Sequence, residues 1–129
     1  MSYKKGERSL KVAVTSMGKN LESKVDPRFG RANWFLVVNT ETGDYDVVNN
    51  EQNLNAGQGA GIQSAENISR YGVEAVITGN CGPKAFKTLG AAGIKVYCGA
   101  EGTVAEVLEK FNNGKLNIAA GANVEGHWV

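Results

Sequence analysis

One histidine, two cysteines and two prolines are all that this chain of 129 residues contains, and each scarcity removes a class of explanation. A lone histidine, His127, cannot define a metal site. Two cysteines are too few for a four-cysteine zinc site, and a chain this long buries about two-thirds of its unfolded surface, so it folds without disulfide or metal. The longest apolar run, residues 34–38, is too short to span a bilayer, and the opening MSYKKGER lacks the apolar stretch of a secretory signal. A cytoplasmic location is therefore expected, where Cys81 and Cys98 remain thiols. Charge of one sign is missing too. Fourteen Lys and Arg stand against thirteen Asp and Glu, a net charge of +1, which argues against a nucleic-acid or anionic-membrane partner.

What is present is a globular composition, 42% hydrophobic and 21% charged, with glycine in excess. Seventeen glycines are about 13% of the chain, against a usual share near 7%, and no collagen-like period accounts for them. They belong in turns and in loops where backbones approach closely.

Residues 1–9 read as a flexible lead, and residues 10–129 as a single domain. Residues 10–16 (LKVAVTS) form a near-continuous apolar run, the pattern of a strand buried on both faces. Residues 17–33 read as a long loop of the functional kind. Residues 34–39 and 45–48 make two strands joined by a polar, glycine-containing hairpin connection. A helix follows with Ile62, Ala65, Ile68 and Tyr71 on one side, then a strand over 73–78. Pro83 opens a second helix with Ala85, Phe86 and Leu89 facing the core, and residues 94–98 form the last strand. Thr103 and Glu106 are a capping-box pair starting a helix with Val104, Val107, Leu108 and Phe111 at core spacing. Residues 115–129 give no assignment.

This order predicts an α/β fold, a mixed five-stranded sheet with helices on both faces. With the hairpin reversing the second strand and right-handed crossovers, strands one, three, four and five run parallel. Their C-terminal ends share one edge, which collects the 17–33 loop, the glycine-rich segment 57–61, the Cys81 turn and the segment after Cys98. Open α/β sheets bind ligands at that edge.

Three stretches there carry chemistry. GNCGPK, residues 79–84, sets Cys81 at a strand-to-helix turn where free N–H groups and the positive helix end favour a thiolate, with Gly82 and Lys84 beside it. The bland alternative is a small buried filler. DPRFGR, residues 26–31, offers Arg28 and Arg31 to an anion, or else Asp26 braces the loop and Phe29 plugs the core. Gly57, Gly59 and Gly61 look like an anion-cradling loop at a helix start but lack the ending of a P-loop, and close packing explains them equally. Cys98 reads as core and Met17 as packing, while His127 is either an ordinary solvated residue or one ligand of a metal set begun by Cys81.

In order and spacing, VAVT at 12–15, DPRFGR at 26–31, GQGAG at 57–61, GNCGPK at 79–84 and GIKVY at 93–97 resemble the dinitrogenase iron-molybdenum cofactor biosynthesis family over about residues 10–116. The resemblance implies a ribonuclease H-like fold and a pocket lined by Cys81, Arg28, Arg31 and the 57–61 loop. It also implies a role as a small stand-alone carrier of an iron-sulfur or molybdenum-containing cluster or its precursor, handed between donor and acceptor proteins. Nuclease activity, hosted by other ribonuclease H-like folds, is not expected, because residues 12–16 offer no metal-binding carboxylate. The reading is thus a binding protein rather than an enzyme. Its rivals are a thiol-dependent enzyme acting on a small anion through Cys81, which lacks a visible general base, and a regulatory interaction protein.

Overall fold

The computed structural model describes residues 10–50 and 59–122. Gly57, His127 and the 1–9 lead lie outside the described residues. Eight elements follow in the expected order: β1 (Lys11–Ser16), β2 (Trp34–Asn39), β3 (Tyr45–Asn49), α1 (Ala60–Ser69), β4 (Ala75–Ile77), α2 (Pro83–Ala91), β5 (Lys95–Tyr97) and α3 (Val104–Asn112). The five strands form one sheet in the order β3-β2-β1-β4-β5.

The apolar run of β1 places it in the centre, with every residue from Val12 to Ser16 buried. It pairs antiparallel with β2 and parallel with β4. The two-residue period of a strand then sorts its side chains between two cores. Ala13 of β1 and Phe35 and Val37 of β2 join Ala65, Ile68, Ala85 and Leu89 from α1 and α2 on one face. Val12, Val14, Leu36 and Val38 join Val104, Val107 and Leu108 of α3 on the other. A one-residue slip in register would exchange these sets and is excluded by both cores at once.

Helix α3 starts where its capping box predicts. The Thr103 hydroxyl accepts from the Glu106 N–H at 3.1 Å, and the Glu106 carboxylate accepts from the Thr103 N–H at 2.8 Å. Helix α1 departs from expectation. Its buried stripe is Ala60, Gly61, Ser64, Ala65 and Ile68, whereas Ile62 is half-buried and Tyr71 is 40% exposed. Small residues face inward because a loop backbone lies against that part of the helix, as described below.

Beyond α3 the chain returns to the sheet. Ile118 forms an antiparallel bridge with Tyr97, and the Ala119 N–H donates to the Val96 carbonyl at 2.7 Å. This segment covers the outer edge of β5, which would otherwise present unpaired backbone groups.

Candidate functional site

The C-terminal edge of β1, β4 and β5 is built by a loop that threads between strands. After Ser16 the chain turns back. Ser16 bridges Val25, and the Asp26 N–H donates to the Thr15 carbonyl at 2.9 Å. The Thr15 hydroxyl donates to the Asp26 carbonyl at 2.8 Å and is hydrogen-bonded to the Thr78 hydroxyl at 2.9 Å, tying β1, the loop and the end of β4 together. Arg28 then pairs in parallel with Asn80, the Phe29 N–H donates to the Asn80 carbonyl at 3.1 Å, and the Asn80 amide donates to the Pro27 carbonyl at 3.0 Å. The DPRFGR segment is therefore bridged to the turn that carries Cys81.

Glycines make this approach possible. A Cβ on Gly79 would lie 2.8 Å from Pro27 Cα and 2.9 Å from its carbonyl oxygen, inside any tolerable contact. A Cβ on Gly30 would lie 2.9 Å from both the nitrogen and Cα of Gly61. The 26–31 loop thus touches the start of α1 with one glycine and the end of β4 through another. Gly59, at the N-cap of α1, has φ +93°, a left-handed conformation that favours glycine. Part of the glycine excess noted in the sequence is accounted for at this edge.

Asp26 and Phe29 take the structural roles. Phe29 is fully buried with its ring 5.3 Å from that of Phe35. Asp26 is buried, and its Oδ1 accepts from the Arg28 N–H at 3.0 Å, closing the turn. Burial pushes its carboxyl above the ordinary value, opposed by the Arg28 N–H, the Arg28 charge and the Asn33 N–H. The cationic side chains stay outward. Arg28 and Lys84 are exposed, and Arg31 is half-buried. Lys19 lies on the same edge, its Nζ 4.8 Å from the Trp34 ring centroid.

Cys81 corrects the expectation of a helix-activated thiolate. It lies just before Gly82, the N-cap of α2, but its side chain is fully buried in the core shared with Phe29, Ala85 and Val96. Its Sγ donates to the Gly82 carbonyl at 3.7 Å. Burial, reinforced by the neighbouring Cys98, pushes the thiol up to about 12, so desolvation outweighs the helix end and the group is protonated at neutral pH.

Cys98, read from the sequence as core, does pack against it, but nothing in the sequence signals that it lies beside Cys81. It is half-buried, packs on the same core as Cys81, and receives a hydrogen bond from the Cys81 N–H. Its own thiol is also pushed up by burial. The β4–β5 ladder continues past the strand ends, with the Thr78 N–H donating to Tyr97 at 2.9 Å and the Gly99 N–H to Gly79 at 2.8 Å. That register brings the second cysteine beside the first. Met17 is 56% exposed, so it is not the packing residue expected. The structure therefore gathers Arg28, Gly30, Gly59, Gly61, Gly79, Cys81, Gly82, Lys84 and Cys98 on four segments of one edge. A cavity of about 430 Å³ lined by Leu10, Glu74, Gly93 and Lys95 opens at the opposite edge, away from both thiols.

A family model described as dinitrogenase iron-molybdenum cofactor matches residues 9–114, which includes all of these segments. The chain belongs to the dinitrogenase iron-molybdenum cofactor family. The chain is similar to the orange protein of Desulfovibrio gigas, solved in its apo form, at 40% identity and a TM-score of 0.88 over 92% of this chain and 100% of that one. A Thermotoga protein described as a NifB protein, solved by NMR, is 39% identical with a TM-score of 0.79, covering 91% and 99%. An uncharacterized protein of Methanocaldococcus jannaschii is 32% identical over 111 residues, 83% of this chain and 93% of its own. The mixed sheet with helices on both faces is the ribonuclease H-like arrangement expected for the family.

Proposed function

We propose that this chain is a carrier that holds an anionic iron-sulfur or molybdenum-containing cluster, or its precursor, on the C-terminal edge of its sheet and passes it between donor and acceptor proteins. The observation that carries the reading is the convergence at that edge of two adjacent thiols, outward cations and glycine-lined backbone. Membership of the cofactor family and likeness to a protein known in an apo form support it.

The donor set fits a cargo that arrives with its own sulfur ligands. A cluster ligated wholly by protein takes about four cysteines, whereas this chain has two, and no group of three or more His, Cys, Asp or Glu is gathered among the described residues. Arg28, Arg31 and Lys84 offset negative charge at the rim, Gly59 and Gly61 with the α1 N-terminus admit close backbone approach, and Gly82 does so at the start of α2. Cys98 is the accessible soft donor and Cys81 lies behind it. Ligation by Cys81 requires loss of its proton and movement of the turn that covers it. The same burial weakens the rival reading of Cys81 as an enzyme's nucleophile, which calls for a lowered rather than raised thiol pKa. No helix among the described residues is long and apolar enough to cross a membrane.

The test is anaerobic reconstitution with iron and sulfide and, separately, with thiomolybdate, followed by metal analysis and a visible spectrum. Bound metal with charge-transfer absorption is expected, strongly weakened in Cys81→Ser. Metal content and spectrum unchanged by that substitution would reduce Cys81 to core filler.

A further inference from the structure

We propose that Cys81 and Cys98 are a reversible dithiol–disulfide pair, a modification site formed where the β4–β5 ladder runs past the ends of its strands. The sequence separates the two residues by a whole helix and strand, and the register of β4 against β5 reunites them. The Gly99 N–H bonds to Gly79 at 2.8 Å and the Ala100 N–H to Thr78 at 3.1 Å, so the backbone around Cys98 is held against the backbone leading into Cys81. The Cys81 N–H donates to the Cys98 sulfur, and both side chains pack on one core with Phe29, Ala85 and Val96. A disulfide requires Cα atoms within about 7 Å and Cβ vectors that converge, conditions that contact of one cysteine's backbone with the other's sulfur brings within reach of side-chain rotation. A neutral disulfide also suits an apolar site that disfavours both thiolates.

The half-buried Cys98 reacts first. Its thiolate attacks a low-molecular-weight disulfide, displacing one thiol and leaving a mixed disulfide on Cys98. Cys81 then gives up its proton and attacks the Cys98 sulfur, releasing the second thiol and forming the Cys81–Cys98 bond. The protein is oxidised by two electrons and the small disulfide is reduced to two thiols. Without a catalyst, thiol–disulfide exchange of this kind takes minutes to hours.

The experiment exposes the full-length, fully reduced protein to excess oxidised glutathione, quenches it with an alkylating reagent in denaturant, and reads intact mass and tryptic peptides. The expected result is loss of two hydrogens, loss of both alkylation adducts, and a linkage between the peptides covering residues 71–84 and 96–110, reversed by a dithiol reductant. Cys98→Ser and Cys81→Ser each abolish the linkage, and Cys81→Ser leaves a persistent glutathione adduct on Cys98. A wild-type protein that stops at a glutathione adduct, forms only disulfides between two chains, or retains both thiols would overturn the pairing. None of these readouts involves metal, so the outcome is independent of the carrier reading.

Discussion

Replacing Gly79 by alanine adds one methyl group at the point where the 26–31 loop crosses the end of β4. An ideal Cβ there meets Pro27 backbone atoms at 2.8, 2.9 and 3.2 Å, and backbone cannot swing aside as a long side chain can. To restore an ordinary contact of about 3.5 Å, the loop must retreat by several tenths of an ångström. Phe29, whose N–H is bonded to Asn80 and whose ring is fully buried, moves with it. Overpacking of this kind costs typically about 1–3 kcal/mol, so a loss of about 2 kcal/mol and a Tm lower by roughly 8 °C are expected at this chain length. The matched control is Gly90→Ala in α2, where nothing lies within 4 Å of an added Cβ. Helix propensity there predicts a gain of about 0.5 kcal/mol or more. Thermal and urea unfolding followed by circular dichroism measure both. If Gly79→Ala matches Gly90→Ala, the loop does not rest on Gly79 and the account of the edge as a close backbone junction is wrong.

The Cys81 thiol, pushed from 9.0 to about 12 in the folded chain, contributes stability that is complete below pH 9 and is lost as pH rises toward 12. Three units correspond to about 4 kcal/mol at most, so the alkaline limb of stability against pH should be shallower in Cys81→Ala than in wild type. Asp26 has the same sign in a lower pH window. Its folded carboxyl lies above the ordinary 3.8, so wild-type stability falls as pH climbs through that value to the folded one, and Asp26→Asn should gain relative to wild type over the same interval. A relative gain on acidification instead would show that Arg28 and the loop N–H groups outweigh burial. Thr103→Ala removes the cap of α3 and should cost about 1 kcal/mol in urea unfolding, with no loss pointing to a cap replaced by water.

Much of the scaffold was legible because single residue types commit the chain locally. The unbroken apolar run at 12–14 forces a central strand, and the Thr103 and Glu106 pair starts α3 where the pattern places it. The gathering of the glycine-rich and cysteine-bearing segments at one edge follows from strand direction alone. What was not legible depends on contacts between distant segments. Cys98 looks like an ordinary strand end, and only the β4–β5 register sets it beside Cys81. The thiolate expected from the helix end fails because a local rule about dipoles competes with burial, which the neighbouring sequence does not reveal. The inward stripe of α1 shifts toward small residues because Gly30, far away in sequence, rests on Gly61. The return of Ile118 to β5 leaves a weak apolar signal, since a single bridge needs no alternating pattern.

The central claim is that an anionic cluster sits on the edge made by the 26–31 loop, the α1 N-terminus and the Cys81 turn. Amide NMR of reduced, isotope-labelled protein titrated anaerobically with thiomolybdate tests it most directly. Saturable shifts are expected at Arg28, Gly30, Gly59, Gly61, Asn80, Gly82 and Cys98, with Glu74, Gly93 and Lys95 at the opposite edge unmoved. Shifts confined to that opposite edge, or absent with thiomolybdate in large excess, would contradict the assignment of the site.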